Sequence, residues 1–345
     1  MLPKKLMAHS AVQRKAQQKF TRLMTSITMI GDIAQKVLSP YARNHNTGNK
    51  YEIQIIFHIL RKMGLTNDML DGLTPLMASI KARNSRYGAA TYIDAVTTHC
   101  RTLPVGTEFI LDSRRIVDLR NTTQDDGDGK TADLIAIMDS GTQLGISICG
   151  AGAGRKDSRV EKCLSNPSAA RLGATKADIT AIKALQAQAV TDYKAYMTAM
   201  YGASEAAWPD RLKTDVAVTA ATGAARITAD RFTTLPDEQK IAIFRDLLRI
   251  DEVSTKPADY LACAADVKTQ VFYKFGDPVF PHWAPRVVAD GIWLHMYNCD
   301  TVIGRIQVKF NNGVYHKGKT SSLCSSWNFT VNLRDIFALE PAPLM

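Results

Sequence analysis

The N-terminal part of the chain shows apolar residues at helical spacing. Residues 11–38 and 51–63 have apolar side chains every three or four positions, which is typical of amphipathic helices. Residues 68–84 and 86–100 have weaker versions of the same pattern. The pattern therefore predicts a helical N-terminal region, in which Glu52 lies in the first turn of the second helix.

The pattern changes to that of β-strands after residue 107. Two short apolar runs, at 132–138 and 144–149, are separated by an Asp-Ser-Gly-Thr sequence, which is typical of a hairpin turn. Asp133 opens the first of these strands. Because strand side chains alternate between the two faces, Ser147 and Cys149 share one face of the second strand. The hairpin therefore predicts a carboxylate that faces Ser147 and Cys149 across the strand pair.

Three regions are predicted along the chain. Residues 1–165 combine the N-terminal helices with the hairpin, and residues 166–270 form a helical subdomain that includes a helix at 257–267. Residues 271–345 are β-rich, with strands predicted at 291–297, 301–310 and 327–333. The predicted fold class is α/β, or α+β by a strict labelling.

The overall charge indicates the class of partner. The chain has 43 Lys and Arg against 33 Asp and Glu, and a formal net charge of +10. An excess of this size favours a polyanion, most simply nucleic acid and less simply an anionic membrane surface. The alternative is an ordinary basic protein. No apolar run approaches the ~20 residues that a transmembrane helix needs, so no membrane is expected as a partner.

The cysteines indicate the cellular compartment. The six cysteines are scattered and form no CxxC pair. Scattered thiols in a chain of this length are typical of a reducing intracellular compartment rather than of a disulfide framework. We therefore expect a cytoplasmic location.

The hairpin resembles the core of the PD-(D/E)xK nucleases, in particular the restriction endonucleases. The residues that carry this resemblance are the acid Asp133 and the Gly-Ile-Ser sequence that ends at Ser147. The resemblance implies a central mixed sheet flanked by helices and a divalent metal, Mg²⁺ or Mn²⁺. It implies that Asp133 binds this metal, that Ser147 takes the place of a second acid, and that Glu52 contributes a ligand from the preceding helix. For Glu52, a carboxylate favoured only by the helix N-terminus is the alternative.

Cys149 departs from the pattern of this family, because it occupies the position of the lysine that helps to position the attacking water. Three explanations remain open. Lys156 or Arg155, in the glycine-rich segment 150–156, replaces the lysine; or Cys149 is an engineered substitution that silences cleavage; or the protein binds DNA without cutting it. The catalytic set predicted from the sequence is Asp133, Ser147, Cys149 and Lys156.

Side chains of the C-terminal region and of the glycine-rich segment are candidates for DNA binding. Cations and hydroxyl groups suit phosphate contacts, and we assign these to Arg155, Lys156, Lys317, Lys319, Ser321 and Ser322. Arginine and amide side chains suit contacts with base edges, and we assign these to Arg305, Gln307, Asn311 and Asn312. The alternative for each residue is a solvated surface position.

The resemblance implies a sequence-specific endonuclease of the type II restriction kind that cleaves double-stranded DNA by metal-assisted hydrolysis. Double-stranded DNA and a second copy of the chain, in a homodimer, are then the expected partners. Two other functions remain open: a DNA-binding protein that uses a nuclease fold without cleavage, and a basic structural protein that associates with nucleic acid without sequence preference.

Overall fold

A computed structural model gives the architecture of the chain. It describes residues 29–44, 48–85, 88–111, 113–122, 132–150, 161–165, 167–209, 211–213, 216–250, 257–264, 266–268, 270–310, 314–316 and 325–342. The fold is mixed α/β, as predicted. The helices are α1 (29–38), α2 (Asn49–Met63), α3 (Asn67–Gly72), α4 (Thr74–Arg83), α5 (Ala89–Thr102), α6 (Lys176–Tyr201), α7 (Val216–Thr233) and α8 (Asp237–Leu247).

The strands form two larger sheets and a two-stranded one. In chain order they are β1 (Ile110–Leu111), β2 (Arg114–Asn121), β3 (Leu134–Met138), β4 (Gln143–Gly150), β5 (Glu161–Ser165), β6 (Arg211–Lys213), β7 (Tyr260–Ala264), β8 (Gln270–Pro278), β9 (Pro285–Asp290), β10 (Trp293–Asn298), β11 (Thr301–Phe310), β12 (Val314–His316), β13 (Ser325–Asn332) and β14 (Phe337–Pro341). The strand orders are β1-β2-β3-β4-β7-β8-β14, β5-β13-β11-β10-β9 and β12-β6.

The chain divides into two compact units. The first comprises Met1–Lys156, Ala258–Phe275 and Leu339–Met345, and the second comprises Asp157–Pro257 and Gly276–Ala338. These boundaries differ from the three predicted regions, which follow the order of the chain. The difference arises because the seven-stranded sheet takes strands from distant parts of the sequence.

The seven-stranded sheet is mixed. Strands β2, β3 and β4 form an antiparallel meander, β7 runs parallel to β4, and β8 runs antiparallel to β7. Ile146 and Ile148 of β4 belong to one apolar core with Ile53 and Phe57 of α2. The apolar face of β4 thus packs in one core with the apolar face of α2. This packing positions the start of the helix beside the hairpin.

The helix predicted at 257–267 is wrong, because β7 occupies this segment. All five residues of β7 are buried, since the strand lies between β4 and β8 in the middle of the sheet. A strand that is buried on both faces has no polar alternation. Its Tyr-Leu-Ala-Cys-Ala sequence therefore cannot be distinguished from a buried helical segment by periodicity.

A buried arginine connects the end of α2 to the segment that follows α5. The Arg61 side chain is 3% exposed, and its guanidinium donates to the carbonyl oxygens of Leu65 at 2.6 Å and Leu103 at 2.7 and 2.9 Å. Since Arg61→Met leaves these buried acceptors without donors, we expect the free energy of unfolding to fall by roughly 2–4 kcal/mol in urea denaturation.

The control for this prediction is Arg101→Met. The Arg101 guanidinium lies 2.7 Å from Asp71 Oδ1, but these two side chains are 37% and 65% exposed. Exposed ion pairs contribute less than about 1 kcal/mol, so the control variant should be nearly as stable as the wild type. Equal losses of stability in the two variants would contradict the structural role assigned to Arg61.

In the described part of the second unit, three α-helices accompany an antiparallel five-stranded sheet. The helices α6, α7 and α8 confirm the helical character predicted for most of 166–250, and β10, β11 and β13 confirm the predicted C-terminal strands. Helix α7 packs against β9, β10 and β11. The sheet face toward this helix is apolar and buried, with Val287, Leu294, Ile306, Val308 and Phe329 among its residues.

Candidate functional site

The predicted hairpin is confirmed, and it positions Asp133 at the entrance of β3. The amide of Met138 donates to the carbonyl of Thr142 at 2.9 Å, and the turn contains Gly141 at φ +81°. This conformation favours glycine, because a Cβ atom strains the backbone there. The amide of Asp133 donates to the carbonyl of Ile146 at 3.0 Å, so Asp133 is tied to β4 by the backbone ladder.

The Asp133 carboxylate accepts hydrogen bonds from β4. Its Oδ2 atom accepts from the amide of Ile148 and lies 3.4 Å from the hydroxyl oxygen of Ser147, which donates to it. Ser147 is 1% exposed. The structure therefore brings together the two hairpin residues that the sequence predicted to face each other, and these donors hold the carboxylate in one orientation.

The second carboxylate, Glu52, reaches this region through Tyr41. Tyr41 lies in a 3-10 turn at Ser39–Ala42 and is fully buried. Its hydroxyl donates to Glu52 Oε2 at 2.7 Å. Burial raises the pKa of Tyr41 far above its usual value, and the negative charges of Glu52 and Asp133 raise it further. The Tyr41 hydroxyl is therefore hydrogen-bonded to Glu52, and the charge of Asp133 also acts on it.

Two structural features favour a carboxylate at position 52. Glu52 lies in the first turn of α2, where the N-terminal end of the helix dipole stabilises negative charge. Its side chain is only 7% exposed, so the hydrogen bond from Tyr41 offsets part of the cost of removing the charge from water. These features explain a carboxylate at position 52 even when no ligand is bound. They also hold the Glu52 carboxylate in an orientation from which it can bind a ligand.

The donor set fits a hard divalent cation. Mg²⁺ in proteins is bound by one or two carboxylates, with water and substrate phosphate oxygens completing its coordination. Asp133 and Glu52 supply two carboxylates whose charges both act on Tyr41. Within the described ranges, no group of three or more His, Cys, Asp or Glu side chains is arranged to hold a metal. A caged metal site is thus not present in that part of the chain, whereas an open two-carboxylate site matches the preference of Mg²⁺.

Cys149 lies two residues after Ser147 on β4, and its thiol is buried. Its exposed fraction is 6%, and its Sγ atom lies 3.1 Å from Sγ of Cys263. The parallel ladder pairs these two residues directly, as neighbours on β4 and β7. A buried thiol against a second thiol carries no positive charge and cannot do the work of a lysine ammonium.

The other predicted site residues fall into two groups. Arg305 and Gln307 lie on β11 in the second unit. The remaining candidates lie outside the described residues, and their roles stay predictions: Arg155, Lys156, Asn311, Asn312, Lys317, Lys319, Ser321 and Ser322.

Sequence reasoning missed Tyr41 and Cys263. Tyr41 follows the helix predicted at 11–38 and the Ser39-Pro40 pair, and the sequence pattern predicts no element and no role for it. Cys263 was assigned to a helix. A buried aromatic residue eleven positions before Glu52 gives no local signal, because the contact depends on the packing of the turn against α2.

No helix within the described ranges has both the length and the apolar character needed to cross a membrane.

Comparisons with known proteins complete the description of the site. No protein-family model matches the chain, and neither the curated proteins nor the solved structures include a significant match. The function of the chain therefore has to be argued from its own residues.

Proposed function

We propose that the chain is a metal-dependent DNA endonuclease in which Asp133 and Glu52 bind one divalent cation, Mg²⁺ or Mn²⁺. One observation carries this proposal. The charges of two carboxylates, one from a hairpin and one from a separate helix, both act on the buried hydroxyl of Tyr41, which is hydrogen-bonded to Glu52. One or two carboxylates are the protein ligands that Mg²⁺ usually takes.

The residues of the site would act mainly by binding and orienting. Asp133 and Glu52 would offer carboxylate oxygens, while Tyr41 and Ser147 hold these carboxylates in place through hydrogen bonds. A metal held by Asp133 and Glu52 would polarise the scissile phosphodiester and would supply a water molecule of lowered pKa for its hydrolysis. Fixed orientation matters because a small displacement of reacting groups lowers the rate strongly.

The positive charge that assists the attacking water would come from outside β4. Cys149 is buried against Cys263, so the residue at this position has no charge to contribute. Lys156 and Arg155 follow β4 within seven residues of Cys149 in the sequence, and Lys156 is our candidate for this role. The net charge of +10 supports DNA as the substrate, because binding to the phosphate backbone is electrostatic and independent of sequence.

A second function is favoured by the buried thiol pair. If Cys149 with Cys263 has permanently replaced the catalytic lysine, the protein binds DNA without cleaving it. This alternative predicts binding with no cleavage in Mg²⁺ or Mn²⁺, both by the wild type and by Cys149→Lys. The thermal melt of that variant has to be recorded as well, because a buried ammonium group destabilises the fold.

A plasmid cleavage assay tests the proposal. Supercoiled DNA of mixed sequence is incubated with the protein in Mg²⁺, in Mn²⁺ and in EDTA, and the nicked and linear forms are quantified. We expect cleavage with either metal, no cleavage in EDTA, and a rate reduced by about 10²-fold or more in Lys156→Ala, since loss of one stabilising charge has an effect of this order. Cleavage that persists in EDTA would contradict a metal-dependent mechanism.

A further inference from the structure

One face of the five-stranded sheet in the second unit is polar and open. Along β10 the residues alternate between partly exposed and buried, and those at 293, 295 and 297 are on the partly exposed face. The ladder pairs Trp293 with Gln307 on β11, and Gln307 with Asn328 on β13. It also pairs Tyr297 with Arg286 on β9. Because α7 packs on the opposite face, this side of the sheet is left to solvent or to a partner.

Two aromatic rings on this open face are each accompanied by an arginine. The guanidinium of Arg305 lies 4.9 Å from the centre of the Trp293 ring, and that of Arg286 lies 4.3 Å from the centre of the Tyr297 ring. A guanidinium held against an aromatic ring is already ordered, so it loses less conformational entropy when it meets an anion. Each pair therefore presents an apolar surface and a preorganised cation side by side.

The charges and hydrogen-bonding groups of the open face favour an anionic partner with flat apolar groups. The count of charges covers the described side chains of β9, β10, β11 and β13 that lie on this face. It gives three cations, Arg286, Arg305 and Lys309, and one carboxylate, Asp290. Asp290 Oδ2 lies 3.8 Å from Nε2 of His295. Gln307 lies between Arg305 and Lys309 on β11 and pairs with Asn328 on β13, so two amide groups lie beside these cations. Phosphates match the cations, and nucleobases match both the rings and the amides.

We propose that this open face binds single-stranded DNA by stacking bases on Trp293 and Tyr297. The choice of DNA over RNA rests on the proposed endonuclease function. Duplex DNA does not fit, because five strands at about 4.8 Å spacing span roughly 19 Å, whereas the major groove is about 12 Å wide. Bases in a duplex are also stacked on each other and cannot reach an aromatic ring.

The spacing of the two rings determines how far apart the stacked bases lie along the bound DNA strand. Trp293 and Tyr297 are four residues apart on one strand, which corresponds to roughly 13 Å. His295 lies between them on the same face. The rings would therefore stack bases that are separated along the strand, while Arg286 and Arg305 contact the phosphates beside them.

Fluorescence anisotropy with a labelled 20-nucleotide oligo(dT) tests this inference. The full chain is used in EDTA at one fixed salt concentration, so that cleavage does not interfere. We expect Trp293→Ala and Tyr297→Ala each to weaken binding on the order of 10-fold, since stacking on one aromatic ring contributes 1–3 kcal/mol, and Trp293→Phe to retain most of the affinity. Because the proposed cleavage requires a metal, an affinity measured in EDTA reports on this face alone, which separates this inference from the proposed cleavage.

The matched control is Trp283→Ala. Trp283 packs edge-to-face against Phe280 at 4.7 Å outside the strands, so its loss should leave oligo(dT) binding unchanged. Unchanged affinity in both Trp293→Ala and Tyr297→Ala, with cooperative melts, would overturn the inference. So would equal affinity for a 20-base-pair duplex, or much tighter binding of a 20-nucleotide oligo(U) RNA. If Trp293→Ala does not fold, Trp293→Phe and Arg305→Gln carry the test, and a loss of affinity in Arg305→Gln is expected.

Discussion

Asp133→Asn and Glu52→Gln are each expected to reduce metal-dependent DNA cleavage by at least ~10³-fold. The reason is that a bound divalent ion contributes several kcal/mol to the stabilisation of the transition state, and each substitution removes one anionic ligand. Both substitutions preserve the local hydrogen bonds. An amide oxygen at position 133 still accepts from the Ile148 amide, and one at position 52 still accepts from Tyr41. The rate constant of plasmid linearisation in Mg²⁺ and in Mn²⁺ is the quantity to measure.

Asp139→Asn is the control for this prediction, because it makes the same change of charge on the same hairpin. Asp139 lies in the turn, its side chain is 44% exposed, and its Oδ2 atom is 3.8 Å from the Arg115 guanidinium. We expect this variant to cleave at the wild-type rate. A loss of rate in Asp139→Asn equal to that in Asp133→Asn would attribute the effect to net charge rather than to a metal ligand.

Acid is expected to destabilise the fold by about 3 kcal/mol through His58 alone. This side chain lies on α2 against the rings of Phe109 and Phe272, with ring centres 6.2 Å away in both cases. Neither ring nitrogen has a hydrogen-bond partner among the residues that the structure describes. Burial, together with the positive charges of Lys62 and His99, lowers the pKa of His58 from 6.5 to about 4. A shift of this size corresponds to about 3 kcal/mol.

The sign of the effect follows from where the proton binds. Between pH 6.5 and about 4 the unfolded chain binds a proton at His58 and the folded chain does not, so the free energy of unfolding falls as the pH falls through this window. It levels off below pH 4 with respect to this group. In His58→Phe the fall should be smaller by about 3 kcal/mol, whereas at pH 8 the variant and the wild type should differ only by the change in packing. Parallel pH profiles from urea denaturation would contradict this role of His58.

Periodicity was sufficient to predict the local parts of the candidate site. The helical spacing at 51–63 gave α2 and placed Glu52 in its first turn, and the alternation around the Asp-Ser-Gly-Thr sequence gave the hairpin. The proximity of Asp133 and Ser147 followed directly, because it depends only on the register of neighbouring strands. These contacts are predictable because their partners are close in sequence.

The contacts that sequence reasoning could not supply are those set by tertiary packing. Cys149 meets Cys263 across a parallel strand pair, 114 residues later in the chain, and the strand that contains Cys263 is buried on both faces and shows no alternation. Tyr41 joins Glu52 because a short turn packs against α2. Neither contact leaves a local pattern, so the buried thiol pair and the tyrosine that contacts Glu52 emerged only from the fold.

Binding of Mn²⁺ to the wild type and to Asp133→Asn, Glu52→Gln and Asp139→Asn, followed by electron paramagnetic resonance of the free ion, tests the central claim most directly. The claim is that Asp133 and Glu52 share one divalent cation. It predicts one tightly bound Mn²⁺ in the wild type and in Asp139→Asn, and the loss of this ion in each of the other two variants, because each lacks one of two carboxylate ligands. Full Mn²⁺ binding in both Asp133→Asn and Glu52→Gln would contradict it.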